Sequence, residues 1–294
     1  MIAMHQKNQL EPDFPFCLEL HENLQFAPHW HHEIELVYMI DGHMQVGLNN
    51  KTYLLEPKDI FIIGRRNVHH FVSPAEPNKS VIIQFGLSSF GSFSSVLREG
   101  QFVKPLIKSW EKPKGNKKNY AYKDMEEQIL SILEEYRDKR EGYQMALKAR
   151  LFDLMVILVR QLPIETFSSR EKNRQISRLK RLDKVLAYIN SNYDKKLTLA
   201  DVAKVAHYSP YHFTRFFKDT TGVTFNEYLN AVRVIKAEEY LLDADVPITE
   251  VAFMSGFNSI QTFNRVFKKN NGCTPTEYKK KKEYEKEIAI FDKQ

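Results

Sequence analysis

The sequence predicts a multidomain fold: an all-β barrel with a helical hairpin, followed by an all-α domain of two helix-turn-helix units joined by a linker helix. Three observations support this fold class. The chain of 294 residues exceeds the usual domain size of about 100–200 residues. Apolar and polar residues alternate between Phe26 and Phe85, and the last third contains an internal repeat. We expect an N-terminal domain at 1–167, a polar linker at 168–178 and a C-terminal domain at 179–294.

In the N-terminal half, short apolar runs separated by turn signals predict antiparallel strands. The turn signals include Asp41-Gly42 and Asn49-Asn50, which favour tight hairpins. The spacing of the runs suits a barrel or a sandwich. The runs are Ile34–Ile40, Met44–Leu48, Thr52–Leu55, Ile60–Ile63 and Val81–Phe85.

Helical periodicity follows the strands. Apolar residues at three- and four-residue steps predict an antiparallel helix pair, which could pack on the barrel or on a second subunit. The lysine-rich stretch Glu111–Asn119 precedes the pair and is predicted to be an exposed loop. The apolar positions are Met125, Ile129, Ile132, Leu133 and Tyr136, then Leu147, Leu151, Leu154 and Leu158.

The last third of the chain contains two copies of one pattern. Phe213-Thr-Arg215-Phe-Phe217-Lys218 matches Phe263-Asn-Arg265-Val-Phe267-Lys268 at an offset of fifty residues. Further matches at this offset are Gly222, Thr224, Glu227 and Tyr228 with Gly272, Thr274, Glu277 and Tyr278. Upstream, at an offset of forty-nine, Leu199, Val202 and Ala203 match Ile248, Val251 and Ala252.

Each copy is predicted to be a helix, a tight turn and a second helix. The first helix of the first copy starts at Thr198, whose hydroxyl can cap it. Gly256 fits the turn of the second copy because glycine adopts a positive φ easily, whereas His207 occupies that place in the first copy at some conformational cost. A helical pattern from Phe225 to Leu242 is expected to join the copies rigidly.

The second helix of each copy could enter a DNA major groove, because its phenylalanines face the core and leave a polar face exposed. Arginine pairs with guanine, asparagine or glutamine pairs with adenine, and lysine neutralises phosphate. Either arginine alone would be read as a solvated residue, but its recurrence in both copies favours DNA contact. Two rigidly joined helices could occupy successive grooves roughly 34 Å apart. The candidate DNA-binding residues are Tyr211, Thr214, Arg215, Lys218, Ser259, Gln261, Asn264, Arg265 and Lys268.

Positive charge is concentrated in the same part of the chain. Residues 1–167 carry a net charge of −1, and residues 168–294 carry +7. Localised positive charge attracts polyanions, although a basic face can also be merely solvated.

Residues 180–282 closely resemble the DNA-binding domain of AraC/XylS-type transcription regulators. The resemblance rests on Thr198-Leu-Ala-Asp-Val-Ala203, Phe213-x-Arg-x-Phe-Lys218, Ala252-x-x-x-Gly256-Phe257 and Phe267-Lys-x-x-x-Gly272-x-Thr-Pro275-x-x-Tyr278. It implies two helix-turn-helix subdomains that bind promoter DNA and recruit RNA polymerase. Phe225 departs from the pattern, since the second copy has Pro275 at that position.

Eight of the ten histidines precede the linker. The spacing from His29 and His31 to Glu35 and Gly42 resembles the first cupin motif, and Pro57-x-Asp59 followed by His69 resembles a degenerate second one. Asn23 and Lys58 replace the glycines usual in these motifs, and Arg65-Arg66 adds positive charge. The resemblance implies a cupin-like sensor barrel of the kind that binds a sugar or another small molecule without catalysis.

Three interpretations of the histidines stay open: a metal-free ligand pocket, which we favour, a divalent metal site, and purely structural or surface roles. On a strand, His29, His31 and Glu35 share parity and would project together. We expect no cofactor. The effector-pocket candidates are His29, Trp30, His31, Glu35, Arg65 and His69, and four of them, His29, His31, Glu35 and His69, are the metal candidates.

These features predict a homodimeric, effector-responsive transcription regulator, most simply an activator, rather than an enzyme. Its expected partners are promoter DNA, RNA polymerase and a sugar or polar metabolite, with no membrane contact. We expect it in the cytoplasm, because Cys17 and Cys273 suggest no disulfide framework, no apolar run approaches the roughly 20 residues of a membrane span, and the start lacks a signal-peptide pattern. The alternatives are a constitutive DNA-binding regulator whose barrel only dimerises, and a metal-dependent cupin enzyme.

Overall fold

A computed structural model of the chain describes residues 14–72, 77–88, 90, 95–109, 121–243 and 245–291. The described residues fall into two compact units, one of residues 14–25 and Trp30–Arg178 and one of Phe26–His29 and residues 179–291. The predicted loop Glu111–Asn119 lies outside the described residues. Of the helices in the described ranges, none combines the length and the apolar character that a membrane crossing requires.

The N-terminal domain is built on antiparallel strands, as predicted. One sheet has the order β1-β8-β3-β6-β10, a second has the order β2-β7-β4-β5, and β9 pairs with β11. Every strand predicted from the sequence is present, and several short or peripheral strands are added to them. The strands are β1 (Phe16–Glu22), β2 (Phe26–His29), β3 (Ile34–Asp41), β4 (Met44–Leu48), β5 (Lys51–Leu55), β6 (Ile60–Ile63), β7 (His69–Val72), β8 (Lys79–Phe85), β9 (Gly100–Phe102), β10 (Leu106–Ile107) and β11 (Ile164–Thr166).

The two predicted hairpin turns differ in outcome: Asn49-Asn50 joins two paired strands, whereas Asp41-Gly42 joins β3 to β4, which lie in different sheets, so the prediction of a tight hairpin there is wrong. Asn49 and Asn50 connect β4 to β5, and Asn49 has a left-handed φ of 54°. Gly42 follows β3 with φ 71°, and a Cβ at that position would lie 2.3 Å from the carbonyl oxygen of Pro77. Glycine is therefore required at the end of β3, because a side chain would meet both backbone strain and a steric clash.

The predicted helical hairpin is present as α2 (Ala121–Asp138) and α3 (Tyr143–Gln161), after the short helix α1 (Ser95–Glu99). It packs on the five-stranded sheet, where Ile34, Leu36 and Tyr38 of β3 join apolar residues of both helices in one core. The opposite face of β3, which includes Glu35, is also buried. Burial on both faces explains why the sequence of β3 is almost continuously apolar.

The C-terminal domain is helical and contains the predicted repeat. Its helices are α4 (Ser169–Asn192), α5 (Leu199–Val205), α6 (Pro210–Thr221), α7 (Phe225–Leu241), α8 (Ile248–Met254), α9 (Ile260–Asn271) and α10 (Pro275–Phe291). Helix α4 crosses the domain boundary, so the predicted linker at 168–178 is helical from Ser169 onward. Its function as a linker stays a prediction.

Both helix-turn-helix units use the same capping hydrogen bonds. Ser209 accepts a hydrogen bond at the start of α6 and Ser259 does so at the start of α9, fifty residues later. Thr198 caps α5 through a capping box with Asp201, as the sequence predicts for the threonine. Equivalent threonine and glutamate pairs begin α7 and α10, namely Thr224 with Glu227 and Thr274 with Glu277.

Helix α7 belongs to the cores of both units. Its Tyr228 packs on Phe217 of α6 with ring centroids 5.7 Å apart, and the equivalent pair, Phe267 and Tyr278, is separated by 5.5 Å. The other end of α7 supplies Val234, Ala237 and Leu241 to the core of the second unit. The two units are therefore joined by a shared helix with buried residues at both ends, as the sequence predicts.

Candidate nucleic-acid interface and sensor site

The nine candidate DNA-binding residues lie along α6 and α9, with Ser259 at the residue just before α9. Phe213, Phe217, Phe263 and Phe267 are fully buried, which leaves the opposite helix faces in solvent. Tyr211 is 77% exposed. Ser259 is half-buried, and the other eight candidates are exposed.

Local contacts divide these residues into those that form hydrogen bonds at or within their own helix and those that form an ion pair in solvent. The Ser259 hydroxyl accepts a hydrogen bond from the backbone N–H of Thr262 and donates one to its side chain, so it has a capping role. The Thr214 hydroxyl donates to the carbonyl of Pro210 within its own helix. Arg215 lies 3.6 Å from Asp219, a solvated ion pair that DNA phosphate or a base edge could replace at little cost.

A cluster of buried side chains consists of His29, His31, Glu35 and His69, each offering a ligand atom within 4.8 Å of the others. They come from β2, the segment after it, β3 and β7. All four are buried to 2% exposure or less. The sequence predicted this grouping from cupin-like spacing, and the geometry brings the four side chains together.

The three imidazoles of this cluster are oriented in the same way. The Nδ1 atoms of His29, His31 and His69 lie 3.0, 3.2 and 3.0 Å from the carbonyl oxygens of Ala27, Glu33 and Asn67. A carbonyl oxygen can only accept, so each Nδ1 carries the proton. In a neutral ring, the lone pair is then at Nε2, the atom that faces Glu35 in His31 and His69.

This arrangement calls for positive charge inside the cluster. The Nε2 of His31 lies 2.7 Å from Oε2 of Glu35, and that of His69 lies 3.5 Å from it. Two facing acceptors repel unless an added proton or a cation lies between them. Burial raises the pKa of Glu35, but the charges and hydrogen bonds of His69 and His31 outweigh it and hold the pKa well below its usual range.

The donor set fits a divalent transition metal. Three imidazole nitrogens and a carboxylate are ligands that zinc, iron and manganese accept, and backbone carbonyls already fix the orientation of the rings. The second oxygen of Glu35, Oε1, is buried and has no hydrogen-bond partner among the described residues. The His29, His31, Glu35 and His69 side chains would hold the metal, whose positive charge would take the place of an added proton between Glu35 and the imidazoles.

Gln84 is a member of this site that sequence reasoning missed. Its side-chain amide lies 2.6 Å from Oε2 of Glu35, to which it donates, and 3.4 Å from Nε2 of His31. Gln84 pairs directly with Glu35 across β8 and β3. A lone polar residue in the apolar run of β8 was the available signal, but it becomes meaningful only once the register is known.

The remaining effector-pocket candidates, Trp30 and Arg65, are not among the four clustered side chains. Trp30 is buried, and its ring packs edge-on against His32 with centroids 5.2 Å apart. Arg65 donates from Nε to the carbonyl oxygen of His32 at 2.6 Å and lines a surface pocket whose lining residues include none of the four cluster residues. Asp59, from the second cupin-like motif, is buried and accepts from Lys108 at 2.8 Å, which gives it a structural role.

Comparisons with known proteins match both domains. Residues 16–155 match the AraC-like ligand binding domain, and residues 202–281 match a helix-turn-helix domain. The chain is 41% identical over 103 residues to the transposon Tn10 TetD protein of Escherichia coli, covering 35% of this chain and 75% of that protein.

A second relative is the bifunctional transcriptional activator/DNA repair enzyme AdaA of Bacillus subtilis, 38% identical over 98 residues. This match covers 33% of this chain and 46% of AdaA, so the chain spans less than half of that relative. A crystal structure of unsaturated fatty acid bound ToxT from Vibrio cholerae covers 90% of this chain and 94% of ToxT at 15% identity, with a TM-score of 0.46.

The family-model matches account for the two domains, and the TetD match supports the assignment of the second. The capped, repeated helices with their buried phenylalanines are the residues that the helix-turn-helix match spans. The histidine cluster lies within the ligand-binding match. The chain therefore belongs to the AraC family, with an N-terminal ligand-binding domain and a C-terminal helix-turn-helix domain.

Proposed function

We propose that this regulator binds a specific promoter sequence through α6 and α9 and activates transcription by recruiting RNA polymerase. A small polar molecule, for which a sugar is the class suggested by the sequence, controls it from the N-terminal domain. The observation that carries the proposal is the repeated exposed arginine: Arg215 and Arg265 occupy equivalent positions on helices that begin with equivalent serine caps.

The chemistry of the two exposed faces supports sequence reading. On α9, Gln261, Asn264 and Arg265 offer amide and guanidinium groups that can pair with base edges in the major groove. On α6, Arg215 can do the same, and Lys218 can neutralise phosphate. The differing residues of the two helices would read two different half-sites.

Homodimerisation is supported by the outer face of α3. Met145, Phe152, Val156 and Val159 are 77, 44, 42 and 41% exposed. With Ala149 they recur at alternating steps of four and three residues, the spacing of a coiled-coil seam. A second copy presents the same stripe, so we propose that two α3 helices pack against one another and form the dimer.

The experiment is selection of binding sites from a random DNA library by the purified full-length protein at physiological salt, with random DNA as competitor. The proposal expects a motif of two different elements about one helical turn, roughly 34 Å, apart. Salt-sensitive binding without sequence preference, in the presence and absence of cell metabolite extract, would refute specific recognition.

The buried cluster favours a second candidate, in which metal occupancy is the regulatory signal. The support is the donor set of three oriented imidazoles and Glu35, whose Oε1 has no hydrogen-bond partner in the part of the chain that the structure describes. A metal-responsive regulator would bind its selected DNA site differently before and after removal of metal by a chelator. A constitutive regulator would show no change with metal or metabolite, and a metal-dependent enzyme would show turnover of a substrate.

A further inference from the structure

A pocket of about 180 Å³ lies beside the turn that follows β6. It is slightly larger than the roughly 150 Å³ cavity that holds one benzene molecule, so a ligand of roughly six to ten non-hydrogen atoms would fill it. The turn, the end of α1 and the start of α4 all contribute to its wall. The lining residues are Arg65, Arg66, Arg98, Glu99, Gly100, Phe167, Lys172 and Gln175.

The charge of this pocket is unbalanced. Three arginines and a lysine face one carboxylate, that of Glu99, which lies 2.9 Å from Lys172. Within the described ranges, no carboxylate lies within ion-pair distance of Arg65 or Arg66. Burial, and then the charges of Arg66 and Arg98, lower the pKa of Arg65 from its usual value, although the charge of Glu33 acts in the opposite direction.

Arg65 and Arg98 donate hydrogen bonds to backbone carbonyl oxygens. Arg65 donates to the carbonyl oxygens of His32 and Arg98, at 2.6 and 3.4 Å. Arg98 donates to the carbonyl oxygen of Leu87 at 2.8 Å. The bonds of Arg65 orient its guanidinium without neutralising its charge, because a carbonyl oxygen carries no formal charge, so this planar donor suits a carboxylate or a phosphate group.

Helix α4 connects this pocket to the rest of the chain. Its first turns supply Lys172 and Gln175, and a hydrogen-bonded pair of Ser168 and Glu171 begins the helix. The same helix continues without a break to Asn192, well past the domain boundary. An anion that competes with Glu99 for Lys172 would therefore act directly on a helix shared by both domains.

We propose that this pocket binds a small anionic effector through Arg65, Arg66, Arg98 and Lys172, and that binding alters the position of α4. The proposal deepens the proposed function: the polar metabolite carries a carboxylate or phosphate group, and it acts where the sensor domain meets the connecting helix. The effect of the anion on α4 and on DNA binding rests on the proposed function, whereas anion binding by the pocket does not depend on it.

The test is calorimetric titration of the full-length protein with glycerol 3-phosphate, citrate and inorganic phosphate, with glycerol as the uncharged control. We expect saturable binding of at least one anion, at one site per chain, that weakens as salt rises, and no binding of glycerol. The two organic anions distinguish a phosphate ligand from a carboxylate ligand. If none of the three anions binds saturably below 10 mM, on the order of the weakest specific affinities, the proposal is wrong.

Two variants with opposite expectations locate the site. Arg66→Gln should weaken anion binding about ten- to a hundredfold, since a charge-assisted hydrogen bond is lost. Glu99→Gln should strengthen it severalfold, because it removes the carboxylate that competes for Lys172, and a gain cannot result from misfolding. Arg137→Gln is the matched control, since Arg137 is 73% exposed and pairs with Asp138 away from the pocket. Equal anion affinity in all three variants would show that the anion binds at a different site on the protein.

Coupling is measured separately, as the affinity for the selected DNA site with and without a saturating anion. A change in DNA affinity that Arg66→Gln abolishes supports transmission through α4. Anion binding without any change in DNA affinity or transcription overturns the coupling, whereas failure of site selection itself would count against the proposed function and leave the anion site standing.

Discussion

Replacement of Gly256 by alanine tests whether the turn of the second helix-turn-helix unit depends on glycine. Gly256 has φ 85°, and an added Cβ would lie 2.3 Å from the carbonyl oxygen of Tyr193 and 3.0 Å from Nε of Arg233. That carbonyl already accepts a hydrogen bond from Arg233 at 2.9 Å, so it cannot withdraw without breaking the bond.

The expected cost has two parts. A left-handed backbone costs a residue with a side chain about 1–2 kcal/mol. Overpacking in a close-packed site adds about 1–3 kcal/mol. We therefore expect Gly256→Ala to lower the free energy of unfolding by roughly 2–5 kcal/mol, a large part of the typical 5–15 kcal/mol for a domain.

The repeat supplies a matched control. His207 occupies the same turn position in the first unit with φ 55°, and it is exposed. His207→Gly should leave stability within about 1 kcal/mol of the parent protein, in the stabilising direction, because glycine removes the backbone strain. The assay is urea denaturation followed by helical circular dichroism, with DNA affinity as a second readout. A Gly256→Ala protein as stable as the parent or as His207→Gly would refute the steric reasoning.

Arg265→Ala should lose about 1–3 kcal/mol of discrimination at one base position, measured by competition between the selected site and its single-base variants. An equal loss of affinity for random DNA would show that Arg265 does not contact a base. Lys218→Ala should instead weaken binding to all sequences and reduce the salt slope by about 1. After chelator treatment, zinc or manganese at 100 times its Kd should stabilise the N-terminal domain by about 2.7 kcal/mol, and His69→Ala should abolish this response; a thermal shift retained in His69→Ala would exclude the cluster. Phe152→Glu should convert the dimer to a monomer in light scattering, with a dimer at unchanged Kd showing that the outer face of α3 is not the interface. Thr224→Ala should cost about 1 kcal/mol by removing the cap of α7, and no change in denaturation would contradict the capping box.

The helical repeat could be predicted closely because its determinants are local. A cap such as Thr198, a turn residue such as His207 and phenylalanines one turn apart all act within a few residues of one another. Short-range hydrogen bonds and helical spacing then determine the structure, and a second copy of the pattern confirms each assignment.

The sensor site could be predicted only in part because it depends on long-range pairing. His29, His31 and Glu35 are close in sequence and share strand parity, so their grouping was foreseeable. Gln84 reaches the site through its pairing with Glu35 across β8 and β3. The cationic pocket is assembled from the turn after β6, α1 and α4, and no periodicity within any one of these segments predicts it.

If α6 and α9 read DNA as proposed, the shared helix α7 gives the DNA site of this protein a direction. One chain carries two reading helices at the ends of a single buried connection, and their exposed residues differ, with Thr214 where the other has Asn264. A palindrome would present one of these helices with the wrong bases. An inverted copy of the site would therefore be bound in the opposite orientation, so a single subunit would distinguish upstream from downstream and its site would carry polarity within the promoter.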